Sequence, residues 1–280
     1  MIRMIPPARV LIVAAFAACG AYLPAAAQEP MPPHETFTLH SAALNETRRI
    51  NVYMPPGSST VGAAPLPVLY MPDGGEQEDF PHVAATVDAG IRAGELRPMY
   101  VVGIENTERR RDMTGPTTVE SDRQIAPRVG GSAAFRAFIG DELIPEIGRR
   151  FNVSNERAII GESLAGLFVV ETFFARPELF RTYIALSPSL WWNSDELVRN
   201  AGVRLRTTPA AERTLYLSSA NEVEDIVPAT ARLAGLLRTM APAGVTLRFE
   251  PRPDLRHDNI YRSSAPGVLR ELFPAEKNRP

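Results

Sequence analysis

The sequence predicts an α/β fold in which a mostly parallel central sheet is covered by helices on both faces. Short, continuously apolar runs alternate with longer amphipathic segments, which is typical of buried strands joined by crossover helices. The hydrophobic fraction of 45% in 280 residues is sufficient for one large core. In addition, a serine stands among small residues where a β-branched run meets an apolar helix. That pattern indicates a sharp turn at the end of a parallel strand.

The N-terminal 27 residues have the composition of a secretory signal peptide and are expected to lie outside the fold. Arg3 and Arg9 precede an apolar run over residues 10–18, and alanines occupy positions 25–27. Charged, apolar and small-residue regions in this order are typical of an export signal. We therefore expect a periplasmic or secreted protein. In an alternative interpretation the single cysteine, Cys19, is the site of a lipid anchor.

Eight strands are expected in the remaining chain, residues 28–280, which we interpret as a single domain. Residues 37–55 contain two strands around a turn at 44–46, and the second strand alternates apolar and polar side chains. Six later runs are also expected to be strands, and those at 65–71, 100–104 and 183–186 are continuously apolar, which indicates burial on both faces. The six runs cover residues 65–71, 100–104, 157–160, 183–186, 214–217 and 245–249.

Helices are expected at residues 83–93, 135–151, 164–175, 226–240 and 266–273. Apolar side chains in the second of them recur mostly three and four positions apart, and Pro145 is expected to kink it. Residues 105–131 are polar and too long for a simple connection. Segments of that length in a compact domain usually have a function, so we expect a functional loop there.

Composition excludes several classes of partner. Without Arg3 and Arg9, 28 lysines and arginines face 32 carboxylates, which gives a net charge of −4. This balance offers no basic excess for nucleic acid or an anionic membrane. No apolar run reaches the roughly 18 residues that span a bilayer. Since no two of the four histidines have metal-ligand spacing, neither a metal nor another cofactor is expected. The sequence does not determine the oligomeric state.

A serine, a carboxylate and a histidine occur in the chain order that serine hydrolases on such a sheet use. Ser163 follows one predicted strand and His257 follows the last one. A serine hydroxyl becomes a good nucleophile only beside a base, and that base must itself be oriented. Among the carboxylates that lie between Ser163 and His257 in the chain, Glu222 comes nearest to the end of a strand and is our first choice for the acid. Glu224 and Asp225 are the alternatives.

Two backbone N–H groups are expected to stabilise the oxyanion that forms at such a serine. One should belong to Leu164, the residue after the nucleophile. The other should belong to Gly74 or Gly75, in the loop after the first buried strand, where glycine lets the backbone approach a substrate. In a non-catalytic interpretation, the serine only caps a helix and the histidine lies on the surface. Their joint occurrence in this order favours catalysis.

These motifs resemble the putative-esterase family of α/β-hydrolases, which includes esterase D-like enzymes and enterobactin-type siderophore esterases. Apart from the serine turn, the matching segments are 68–74, 102–106 with Arg109 and Asp112 following, 138–145 and 187–192. The resemblance covers most of residues 37–275 and implies an α/β-hydrolase fold with a small lid or none. It implies that Ser163 is the nucleophile, that His257 is the base and that Arg109 lines the substrate site. Glu162 stands where family members often carry histidine.

The resemblance further implies hydrolysis of a small-molecule carboxylic ester through an acyl-enzyme. Export disfavours the glutathione thioesters that cytosolic esterase D-like enzymes cleave. Siderophore, feruloyl and acetyl esters remain, and a siderophore-type ester is our first choice. Some siderophore esterases use only serine and histidine, so the acid is dispensable in one alternative. Acyl transfer to an alcohol at the same residues, and ligand binding without catalysis, also stay open.

Overall fold

One eight-stranded sheet organises the computed structural model, which describes residues 31–59, 61–222 and 226–276. Its strands are β1 (His34–Ser41), β2 (Glu46–Tyr53), β3 (Leu66–Met71), β4 (Tyr100–Ile104), β5 (Val153–Glu162), β6 (Thr182–Leu186), β7 (Arg213–Ser218) and β8 (Val245–Phe249). Their spatial order is β1-β2-β4-β3-β5-β6-β7-β8, and β2 runs antiparallel to both of its neighbours while the other pairs are parallel. The predicted mostly parallel sheet is confirmed. The proposed signal peptide, with Cys19, lies outside the described residues.

Helices cover both faces of this sheet because its strands present apolar side chains in both directions. The helices are α1 (Phe80–Arg92), α2 (Arg109–Asp112), α3 (Glu120–Gln124), α4 (Ser132–Ala137), α5 (Ile144–Arg150), α6 (Leu164–Ala175), α7 (Trp192–Arg199), α8 (Ala201–Thr207), α9 (Ile226–Met240) and α10 (Ile260–Leu272). In β5, Ala158 and Ile160 join the core under α1 and α10, whereas Ile159 joins the core under α4 to α9. This strand is therefore buried on both sides just before the serine.

Prolines account for two differences between prediction and structure. The sequence predicts one helix over residues 135–151 that is kinked at Pro145, and the structure differs from this. Instead, helical backbone continues from α4 through a π-helical turn over Phe138–Leu143 into α5, and Pro145 is the second residue of α5. The last helix begins at Ile260, and Pro266 lies inside it rather than at its start. A third difference does not involve proline: no helix was predicted between residues 187 and 212, where the structure has α7 and α8.

The long polar segment at residues 105–131 is anchored to the sheet by a buried ion pair. The guanidinium of Arg48 on β2 pairs with the Asp112 carboxylate on α2, and both side chains are fully buried. Arg111 Nε donates a second hydrogen bond to Asp112 at 2.6 Å. The Arg48 guanidinium also lies 5.1 Å above the Phe135 ring. These contacts fix α2, whose first residue is Arg109, beside the carboxyl end of the sheet.

Within the parts of the chain that the structure describes, no helix is long and apolar enough to cross a bilayer.

Candidate active site

Ser163 lies in a sharp turn between β5 and α6 and has a strained backbone. Its φ and ψ are 59° and −119°, a region that residues with a Cβ rarely adopt. The Ser163 N–H donates to the Leu186 carbonyl on the neighbouring β6 at 3.0 Å, and this bond ties the turn to the sheet. A Cβ on Gly161 would lie 2.7 Å from the Ala165 backbone. Glycine at position 161 therefore allows α6 to start directly beside the strand.

His257, in the loop between β8 and α10, contacts Ser163 and Glu222 with opposite sides of its ring. Its Nε2 is 3.0 Å from Ser163 Oγ, and its Nδ1 is 2.5 Å from Glu222 Oε1. Glu222 is almost buried, with 5% of its side chain exposed, while His257 is 43% exposed. The hydrogen bond to Glu222 raises the pKa of His257, against the opposing effect of partial burial. A neutral ring protonated on Nδ1 leaves Nε2 ready to accept the serine proton.

Glu222 reaches His257 because the loops after β7 and β8 pair with each other. A parallel bridge joins Ala220 to Arg252, and the Asn221 N–H donates to the Leu255 carbonyl at 2.8 Å. Since β7 and β8 are parallel neighbours, both loops leave the same edge of the sheet. Glu222 is thus the one of the three candidate acids whose contact is described. Glu224 and Asp225 lie outside the described residues.

A second carboxylate, Glu162, approaches His257 from the side that faces the serine. Glu162 Oε1 is 3.1 Å from His257 Nε2, and 16% of the Glu162 side chain is exposed. Burial raises the pKa of Glu162 to about 7; His257 and Arg109 act in the opposite direction, and the carboxylates of Asp73 and Asp79 act in the same one. The sequence marked Glu162 only as a departure from the family pattern. Its contact with the histidine depends on a loop far along the chain.

The three predicted oxyanion donors differ in how free their N–H groups are. Leu164 is the first residue of α6, where an N–H has no carbonyl within the helix to bond. The Gly74 N–H is committed to the Ile104 carbonyl at 2.9 Å, and a Cβ there would lie 2.1 Å from Ile104 N. Glycine at 74 is therefore required by close approach to β4. The Gly75 N–H donates to Glu78 Oε2 at 2.7 Å, a side-chain partner that a ligand can displace. Gly75 stays a predicted donor, as does Leu164.

Arg109, predicted to line a substrate site, forms a two-point salt bridge with Asp73. Its Nε and Nη2 donate to the two carboxylate oxygens at 2.7 and 2.9 Å, and Asn106 donates to the same carboxylate at 2.6 Å. About a third of Arg109 remains exposed, at 34%. It lines a cavity of about 570 Å³ whose other charged residues are Arg110, Arg111, Arg128 and the acidic Glu108, which pairs with Arg128. Arg109 therefore supports the turn after β3 and also faces a space of ligand size.

Ser189 is a neighbour of the nucleophile position that sequence reasoning did not single out. Its Oγ is 3.4 Å from Ser163 Oγ, and its N–H donates to the Ser163 carbonyl at 3.0 Å. Ser189 lies in the segment 187–192, whose resemblance to the family was the sequence signal that could have indicated it.

No group of three or more histidine, cysteine, aspartate or glutamate side chains suited to a metal ion occurs among the residues described. The array of hydroxyl, imidazole and carboxylate is suited to moving a proton away from a serine.

The chain is similar in sequence to a described protein family and to curated proteins. The model of a family described as putative esterases matches residues 41–223. The ferri-bacillibactin esterase BesA of Bacillus subtilis is 31% identical over 178 residues, which are 56% of this chain and 60% of that protein. The siderophore triacetylfusarinine C esterase of Aspergillus fumigatus is 33% identical over 178 residues, 59% of each chain. This chain therefore spans about three fifths of the length of these curated relatives.

Solved structures confirm the predicted α/β-hydrolase fold. The IroE-like serine hydrolase from Shewanella oneidensis superimposes with a TM-score of 0.78 at 25% identity, over 86% of this chain and 80% of that one. The BES protein from Bacillus cereus gives a TM-score of 0.73 at 23% identity, over 85% of this chain and 93% of that one. The likeness extends over most of the sheet and its helices.

Proposed function

Because this chain belongs to the putative esterase family, we propose that it is a serine hydrolase that cleaves carboxylic esters, with siderophore-type esters as substrates. The observation that carries the proposal is the continuous array of Ser163, His257 and Glu222, with contacts of 3.0 and 2.5 Å. The substrate class is supported by the two relatives named as siderophore esterases, which share about a third of their aligned residues with this chain.

The reaction begins when Ser163 Oγ attacks the ester carbonyl carbon and its proton passes to His257 Nε2. The carbonyl electron pair moves to the oxygen, and in this proposal the N–H groups of Leu164 and Gly75 donate hydrogen bonds to that oxyanion. The tetrahedral carbon then expels the alkoxide, which takes the proton from Nε2 and leaves as an alcohol. A water molecule repeats the sequence on the acyl-enzyme, releases the acid and restores the serine.

The cavity that Arg109 lines is the proposed binding site for the part of the substrate that lies away from the reacting carbonyl. In this proposal Arg109 contacts the ester beside the reacting carbonyl, as the family resemblance implies. Guanidinium groups present several N–H donors in a fixed plane and suit oxygen-rich ligands. The volume of about 570 Å³ is within the range of small-molecule sites. Arg109 lines this cavity, whereas Ser163, His257 and Glu222 do not, so in this proposal the cavity holds a part of the ester that is remote from the reacting carbonyl.

We expect hydrolysis of siderophore esters with a higher kcat/KM than that of a short, unselective ester. The measurement compares ferri-bacillibactin and ferric triacetylfusarinine C with p-nitrophenyl acetate, a feruloyl ester and an acetylated sugar, and identifies the products by mass spectrometry. Free acid and alcohol in equal amounts support hydrolysis. A new ester formed at the expense of acid when glycerol is added would instead indicate acyl transfer. Tight binding of every ester without turnover would indicate a binding protein and contradict the proposal.

We also propose that the chain is exported and processed after Ala27, on the basis of the charged, apolar and small-residue order at residues 1–27. Expressed from its full sequence in a Gram-negative host, the protein should appear in the periplasm or medium with the intact mass of residues 28–280. A mass corresponding to a lipid-modified chain that begins at Cys19 would favour the lipoprotein alternative. Retention of the complete chain in the cytoplasm would contradict export.

A further inference from the structure

His257 Nε2 faces two oxygens, since it is 3.0 Å from Ser163 Oγ and 3.1 Å from Glu162 Oε1. Glu162 Oε1 is buried and accepts no hydrogen bond among the described residues. A neutral ring with its proton on Nδ1 has no hydrogen to donate to this oxygen. A ring protonated on both nitrogens has one, so the contact becomes a charge-assisted hydrogen bond only when His257 is an imidazolium.

The titratable and charged groups around Glu162 come from several elements of the fold. Those that face it are His257 in the β8–α10 loop, Arg109 on α2, Asp73 after β3, Asp79 before α1 and Tyr261 on α10. Glu222, Glu162 and Arg109 in turn face His257. Arg109 is engaged by Asp73 and keeps its proton at all working pH values. His257 is therefore the cation beside Glu162 that appears and disappears during a reaction cycle.

We propose that Glu162 is a positioning residue that acts as a second carboxylate on His257 and stabilises the imidazolium formed when Ser163 attacks an ester. The inference rests on the proposed function and adds a residue to it. When the serine proton arrives on Nε2, the ring is flanked by Glu222 at Nδ1 and by Glu162 at Nε2. The same Nε2 proton then leaves with the alkoxide, so Glu162 gains and loses no atom. Its effect is electrostatic, and it is largest when the ring is charged.

This arrangement has a definite consequence for pH dependence. An ionised Glu162 favours the protonated ring, so it raises the pH at which His257 loses its proton. The reaction requires a neutral His257 as base, and the acid limb of kcat/KM therefore lies at higher pH with Glu162 than without it. Because Glu162 Oε1 lies 3.1 Å from His257 Nε2, and burial raises the pKa of Glu162 to about 7, the two groups titrate as a coupled pair. In a variant that lacks the Glu162 carboxylate, His257 should titrate as a single group with a lower pKa.

The test is an NMR titration of the His257 ring in a Ser163→Ala background, which does not depend on turnover. The His257→Gln spectrum identifies the signal among the four histidines. We expect Glu162→Gln to lower the pKa of His257 by about one unit, since an opposite charge within hydrogen-bonding distance shifts a pKa by roughly 1–3 units and this site is partly exposed. In the enzyme that retains Ser163, the acid limb should move down by the same amount and the plateau of kcat should fall about tenfold.

Asp258→Asn is the matched control, because it removes a carboxylate from the residue next to His257 in the chain. Asp258 is 68% exposed and pairs with Arg256 rather than with the ring. Its replacement should leave both the titration and the acid limb unchanged. A His257 pKa that is the same with and without Glu162, or that Asp258→Asn lowers equally, would overturn the inference. If the parent protein hydrolysed no ester, that result would contradict the proposed function. The titration would still decide the role of Glu162.

Discussion

Ser163→Ala should remove ester hydrolysis almost completely, with a loss in kcat on the order of 10⁴- to 10⁶-fold. Alanine keeps the strained turn but lacks the oxygen that attacks the carbonyl, so the residual rate comes only from binding and oxyanion stabilisation. The measurement is release of p-nitrophenol from p-nitrophenyl acetate at pH 8. A fluorophosphonate probe gives a second readout, since intact mass should record one adduct on the parent and none on the variant.

Ser189→Ala is the matched control for this experiment. The Ser189 hydroxyl lies 3.4 Å from Ser163 Oγ. The Ser189→Ala variant therefore tests whether the neighbouring serine can act as the nucleophile. His257 Nε2 contacts Ser163 and not Ser189 in the structure, so the control should keep its activity within about tenfold and still accept the probe. Equal activity of Ser163→Ala and the parent would exclude Ser163 as the nucleophile. Loss of labelling only in Ser189→Ala would assign the nucleophile to the neighbouring serine.

Glu222→Gln should have the next largest effect, with kcat falling about 10²- to 10⁴-fold. The neutral amide no longer stabilises the imidazolium, and its NH₂ group favours the ring tautomer with the proton on the wrong nitrogen. Glu222 raises the pKa of His257, so its removal should also move the acid limb of kcat/KM to lower pH. The measurement is the pH profile of ester hydrolysis from pH 5 to pH 9.

Two further variants, Glu224→Gln and Asp225→Asn, serve as controls because both acids follow Glu222 within three residues. They should retain activity close to that of the parent, because the 2.5 Å contact to Nδ1 belongs to Glu222. If Glu222→Gln retained parental activity while one of these variants lost it, the acid would be reassigned. If all three variants remained active, none of these three acids would be required for hydrolysis.

Much of the fold could be predicted because its signals are local in the chain. A strand buried on both faces is largely apolar, and a helix carries its apolar side chains at three- and four-residue spacing, so β3, β4, β6 and β7 and the helices α6 and α9 were identified near their observed bounds. Prolines gave misleading boundaries, since Pro266 is tolerated inside α10 and a π-helical turn precedes Pro145. Whether a proline ends a helix depends on what packs around it.

The sequence by itself determined the order of the strands along the chain, the serine turn and the positions of Ser163 and His257, because each depends on neighbouring residues along the chain. Only the tertiary structure decided which oxygens reach the imidazole. Glu222 lies 35 residues and Ser163 94 residues from His257, and both reach it because β5 to β8 are parallel and deliver their following loops to one edge. The same through-space proximity commits the Gly74 N–H to Ile104 and brings Glu162 to Nε2. Spacing along a chain does not encode such distances, since they depend on how the strands pair.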